Sequence, residues 1–71
     1  MDEGEIAALA PLYDAGFQSF EPDTLESKVA RADFYRMVEE HWHRDSPQGS
    51  VSLRDYRTKA VAKCREWLRK N

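Results

Sequence analysis

The first 27 residues of this 71-residue chain contain neither lysine nor arginine. Over the same stretch stand seven carboxylates: Asp2, Glu3, Glu5, Asp14, Glu21, Asp23 and Glu26. From Ser50 to Asn71 the balance inverts, because Arg54, Arg57, Lys59, Lys63, Arg65, Arg69 and Lys70 are set against only Asp55 and Glu66. The three parts carry formal charges of −7, 0 and +5, which the net charge of −2 conceals. Such a chain either folds its acidic start against its basic end or offers one of them to a partner.

Other shortages exclude whole classes of function. Cysteine occurs once, at Cys64, so no intramolecular disulfide forms, and a lone thiol suits a reducing, cytoplasmic setting. The glycines Gly4, Gly16 and Gly49 are scattered, which rules out a glycine-rich phosphate loop. The longest apolar run, Ile6 to Tyr13, is interrupted by Pro11 and falls far short of the ~20 residues of a membrane-spanning helix. The acidic N-terminus is the reverse of a secretory signal. No repeat or low-complexity run divides the chain, and a chain this short buries only ~60% of its unfolded surface. One domain spanning residues 1–71 is expected, with residues 1–22 as an acidic, flexible N-terminal segment. Hydrophobic residues at 41% and aromatics at 11% argue for a folded domain over a disordered one.

What is present reads as helix. Leu53, Tyr56, Ala60, Cys64 and Trp67 recur at spacings of three and four, with Val61 and Leu68 widening the stripe. Ser52 is positioned to cap this helix, Asp55 suits its first turn, and Arg69 and Lys70 suit its last. The basic residues form two rims: Arg54, Arg65 and Arg69 on one flank of the stripe and Lys59, Lys63 and Lys70 on the other, with Asp55 and Glu66 between them. Arg57 falls inside the apolar arc, where it either reaches the edge or pairs with an N-terminal carboxylate.

A middle helix is predicted from Asp23 or Thr24 to about Arg44, followed by a turn over 45–49. Its apolar face changes partway, from Leu25, Val29 and Ala32 to Phe34, Met37, Val38 and His41, with Tyr35 and Trp42 alongside. Either the helix breaks between Arg31 and Asp33, or one continuous helix packs its two halves on different neighbours; the continuous form is favoured. In the N-terminal segment Ile6, Leu9, Leu12 and Tyr13 are helically spaced, but Pro11 disfavours helix at Ala10. A kink or two short turns, a C-cap at Gly16, and an extended crossing pinned by Phe17 and Phe20 are predicted. The fold class is therefore all-α, a small three-helix bundle with a kinked or partly extended N-terminal segment. A competing reading makes residues 3–20 a docking peptide that orders on a partner.

The chemistry-bearing residues do not assemble into a motif. Glu39, Glu40, His41, His43 and Asp45 fall within seven positions, yet on a helix His43 points about 200° from His41, leaving only His41 and Asp45 one turn apart. No Cys or Ser has a local base and orienting group. No enzymatic activity, metal, cofactor or small-molecule substrate is expected. The leading reading is a non-enzymatic protein-binding module, an adaptor, regulator or inhibitor, because the aromatics outnumber what a three-helix core of this size hides. Tyr35, Arg36 and Trp42 are the expected partner contacts, with self-association as a variant. The alternative is a nucleic-acid-binding protein that uses Arg54, Arg65 and Arg69. Against it stand the acidic net charge and a connection from Asp45 to Val51 that exceeds the three to four residues of a helix-turn-helix. Small bacterial or phage regulators are of this size, an analogy from length alone.

Overall fold

Each helix start carries its own cap. The computed structural model describes residues 1–18, 23–46 and 51–71, which form α1 (Glu3–Phe17), α2 (Leu25–Asp45) and α3 (Leu53–Lys70), with no strand among them. Asp2 opens α1 by accepting the Glu5 N–H at 2.8 Å, and the Glu5 carboxylate accepts the Asp2 N–H at 3.3 Å, a reciprocal capping box. Thr24 Oγ1 accepts from Ser27 N–H at 3.1 Å, and Ser52 Oγ accepts from Asp55 N–H at 3.1 Å. Each satisfies a first-turn donor that has no partner within the helix.

The three helices pack into a bundle around one core. Leu9, Ala10 and Tyr13 of α1, Phe34 and Val38 of α2, and Tyr56, Ala60 and Cys64 of α3 are buried together, with Trp42 and Trp67 half-buried against them. Burying each of the larger side chains contributes ~1.5–3 kcal/mol. Trp42 also donates its indole N–H to the Val51 carbonyl at 2.6 Å, tying the end of α2 to the approach to α3. α2 is continuous through Arg31 and Asp33, as favoured from the sequence.

The N-terminal segment is helical straight through Pro11. Pro11 stands on the exposed side of α1, in line with Gly4, Ala8 and Ala15, which are also exposed. Its missing N–H leaves the Ala7 carbonyl without a helical donor, but its ring meets solvent and displaces no core packing. The predicted C-cap at Gly16 is corrected: Gln18 is the cap, its N–H donating to Asp14 O at 3.0 Å, and Gly16 is a buried residue of α1. Phe17 ends the helix instead of opening an extended crossing, and Phe20 lies outside the described residues.

The face of the first half of α2 is also corrected. Leu25 is 76% and Val29 50% exposed, while Ser27 and Ala30 point inward. Small and polar residues win that face because α1 and α2 approach closely there. A methyl group on Gly16 would lie 2.8 Å from Arg31 Cγ and 2.9 Å from Arg31 N. The crossing is fastened by hydrogen bonds to the last carbonyls of α1, from Ser27 Oγ to Ala15 O at 3.0 Å and from Arg31 Nη1 to Gly16 O at 2.9 Å. Such carbonyls lack helical partners and favour a nearby cation.

Candidate functional site

α3 is buried along Tyr56, Ala60 and Cys64, so its two basic flanks open into different surroundings. The lysine flank meets α1. A cleft of about 460 Å³ is lined by Asp2, Glu5, Asp45, Arg44, Lys59 and Lys63 among others, three carboxylates against three bases. A second, of about 260 Å³, holds Glu3 and Glu66 opposite Lys63 and Lys70. Both are neutral in side-chain charge.

Within the larger cleft the charges are organised by direct bonds. Arg44 Nη2 lies 2.7 Å from Glu5 Oε1 and Arg44 Nε 2.8 Å from Asp45 Oδ1, while Tyr56 donates its hydroxyl to Asp45 Oδ2 at 2.9 Å. The Arg44 and Tyr56 hydrogen bonds hold the Asp45 carboxyl well below the usual carboxylate range. Burial, reinforced by that same hydrogen bond, pushes the Tyr56 hydroxyl up to about 12. On the next cleft Lys70 Nζ bonds Glu66 Oε1 at 2.9 Å and lowers the Glu66 pKa. The acidic start of the chain thus pairs with Arg44 of α2 and shares its clefts with the lysine rim.

The arginine flank faces a groove that no described carboxylate lines. About 360 Å³ in volume, it is lined by Tyr35 of α2 and by Arg57, Thr58, Val61, Ala62 and Arg65 of α3, giving a side-chain charge of +2. The Arg57 guanidinium lies over the Tyr35 ring, 4.8 Å from its centroid, within cation–π range. Its Nε–H is buried without a hydrogen-bond partner. Arg57 pairs with no described N-terminal carboxylate, and Asp2, Glu3 and Glu5 line the clefts of the other flank. Arg65 Nε donates to the Tyr13 hydroxyl at 2.7 Å. None of Arg54, Arg57, Arg65 and Arg69 is in an ion pair with a described carboxylate. Tyr35, 40% exposed, is itself held edge-on by Phe34 at 5.9 Å and by the half-exposed Phe17 at 5.6 Å.

The expected contacts separate on this map. Tyr35 is at the groove. Arg36 is on the outer face of α2, bonded to Glu40 at 3.1 Å and 3.7 Å from Asp33. Trp42 is taken up by its hydrogen bond to Val51 and its packing on the core. Of the alternative set, Arg65 borders the groove, while Arg54 and Arg69 are exposed residues of α3. Arg57 and Phe17 were missed as site residues. Arg57 carried a signal, a cation placed inside an apolar arc; Phe17 depended on the course of α1.

The remaining chemistry-bearing residues are dispersed. His41 Nδ1 lies 3.9 Å from Glu5 Oε2, whereas Asp45 is held by Arg44 and Tyr56, so the one-turn His41 and Asp45 pair is divided between different partners. Among the described residues no three His, Cys, Asp or Glu side chains gather as a metal site. Cys64 is fully buried, and burial pushes its thiol up to about 11. No described helix is long and apolar enough to cross a membrane. No protein-family model, curated protein or solved structure matches the chain.

Proposed function

We propose that this chain is a non-enzymatic protein-binding module, an adaptor, regulator or inhibitor, that grips its partner at the groove between α2 and α3. The observation that carries the reading is the set of arginine and aromatic side chains lining the groove without an acidic partner among the described residues: Tyr35, Arg57 and Arg65, with Phe17 behind them. Tyrosine and arginine are the side chains that most often anchor protein interfaces, since each combines a flat apolar surface with directional hydrogen bonds. The aromatic neighbours fix Tyr35 before binding, which lowers the entropy cost of engaging it.

Selection of a displayed random peptide library on the immobilised protein tests this reading. Recovery of binders that are lost on Tyr35→Ala, with the helical circular dichroism unchanged, supports it; binders indifferent to Tyr35→Ala place the contact elsewhere and refute it.

A nucleic-acid reading has one observation of its own, the exposed Arg54, Arg65 and Arg69 along one flank of α3, none of them ion-paired with a described carboxylate. It requires duplex or single-strand affinity that falls steeply between about 50 and about 200 mM salt as condensed counterions are displaced. It further requires that the loss be reproduced by Arg65→Glu with Arg69→Glu.

A further inference from the structure

We infer that the occupant of the groove is an acidic protein segment, two carboxylates flanking an apolar side chain; this rests on the protein-binding reading and names the partner's chemistry. Charge points to an anionic occupant. The clefts on the lysine flank balance their lysines and arginines with carboxylates of their own, whereas this groove presents Arg57 and Arg65 with none among the described residues. The chain as a whole is acidic at −2, so the local excess is a property of this site and not of the surface at large. An anionic occupant completes here what α1 completes on the other flank.

The lining adds an apolar requirement. Between the two arginines lie Val61 and Ala62, with the Tyr35 ring opposite. Arg57 and Arg65 are eight residues apart on one helix, about 12 Å at ~1.5 Å per residue. A segment that sets carboxylates at that separation and an aliphatic or aromatic side chain between them satisfies both charges and covers the apolar stretch. On a helical partner the acids stand two turns apart; on an extended one they stand about four residues apart at ~3.3 Å each. Planar guanidinium groups favour carboxylates because they offer paired, parallel N–H donors. The unpartnered Arg57 Nε–H adds a local incentive, since a buried donor without an acceptor is unfavourable and an arriving carboxylate lets Arg57 turn to use it.

A nucleic acid fits less well. A phosphate backbone lying along α3 would meet Asp55 and Glu66, both exposed on the outward side of the helix, whereas a single segment within the groove avoids them. The apolar lining also offers nothing to a phosphate.

Fluorescence anisotropy on the full chain tests the inference with three labelled probes: a twelve-residue peptide with two glutamates flanking a leucine at the stated spacing, its lysine counterpart, and a single-stranded DNA of equal charge. The expected result is binding of the acidic peptide alone, weakened about tenfold by Arg57→Gln and by Arg65→Gln. Arg57→Gln is the cleaner variant, because Arg65 also bonds Tyr13 and its replacement is read only where the circular dichroism is unchanged. Equal binding of the acidic and basic peptides, insensitivity to Arg57→Gln, or binding of the DNA alone overturns the inference. The display selection separates this failure from that of the underlying reading. Neutral or basic winners that depend on Tyr35 keep the module and discard the acidic partner, whereas winners that ignore Tyr35 discard both.

Discussion

The two flanks of α3 are built from the same kind of residue and end in opposite states. On the lysine flank, α1 brings Asp2, Glu3 and Glu5 to the clefts that Lys59, Lys63 and Lys70 line, and Tyr56 closes the core beneath by bonding Asp45. On the arginine flank, Tyr35 stands over Arg57 and no described carboxylate enters the groove. A charge that the fold neutralises within itself supports the fold; a charge that it holds in place unneutralised is available to a partner. The two tyrosines mark this division.

The largest effect expected from that division concerns those tyrosines. Tyr56→Ala removes a buried ring and deprives Asp45 of a donor, so a loss of about 3–5 kcal/mol is expected. Tyr35→Ala is expected to cost less than about 1 kcal/mol, because its ring is 40% exposed. Urea unfolding followed by circular dichroism measures both. Similar losses would show that the arginine flank is also part of the folding core, and the comparison would fail.

A pH titration sharpens the same contrast from the closed side. Tyr56 rises from 10.0 to about 12 and Cys64 from 9.0 to about 11, so each holds its proton more tightly in the folded chain than in the unfolded one. The stability linked to these protons is complete below about pH 9 and is lost as pH climbs to about 12. It is on the order of 3 kcal/mol at most for Tyr56. Asp45 has the opposite sign: its carboxyl titrates lower in the fold, so its contribution is present above about pH 4 and is lost below that. Thermal unfolding from pH 3 to 12 should therefore show a fall at each end. Tyr56→Phe should flatten part of the alkaline fall, and an unchanged alkaline profile in that variant would remove the hydroxyl from the account.

Gly16→Ala tests whether the open groove depends on the seam between α1 and α2. The added methyl meets the Arg31 backbone, which cannot swing aside as a flexible side-chain end would, and a loss of about 1–3 kcal/mol is expected. Phe17 follows Gly16 directly and holds Tyr35 edge-on, so groove affinity should fall together with stability. Stability lost with affinity kept would show that Tyr35 needs no support from α1.

The parts of the fold legible in the sequence are those written in large apolar residues and in caps. Tyr56, Ala60 and Cys64 lie at the heart of α3 as their spacing implies, Ser52 caps α3 where its hydroxyl predicts, and α2 begins at Leu25, next to its expected start. The seam at Gly16, Ser27, Ala30 and Arg31 was not legible, because close approach selects for smallness and hydrogen bonding, and the hydrophobic period then points to Leu25 and Val29 instead. Pro11 misled for a related reason: a proline's cost depends on whether its side of the helix meets solvent, and that is settled only by packing. Of the candidate site, the two rims were legible from the helical wheel. Which rim the acidic start would cover was not, because charge counts along a chain carry no crossing angle.

The smallest expected effect is also the one most specific to the comparison, because it differs in sign between the flanks. Neutralising Lys59 and Lys63 to Gln leaves Asp2 and Glu5 facing fewer cations, so at low salt the variant should lose a few tenths of a kcal/mol. Neutralising Arg54 to Gln instead removes a cation from the first turn of α3, where the helix dipole disfavours it, and breaks no ion pair with a described carboxylate. That variant should be unchanged or slightly more stable. Both differences should shrink as salt rises from about 10 to about 200 mM and the Debye length falls below the spacing of the charges. Melting temperatures across that salt series decide the matter. If the arginine variant lost as much as the lysine variant, the arginine flank would be satisfied within the fold, and the groove would not be open to a partner in the sense argued here.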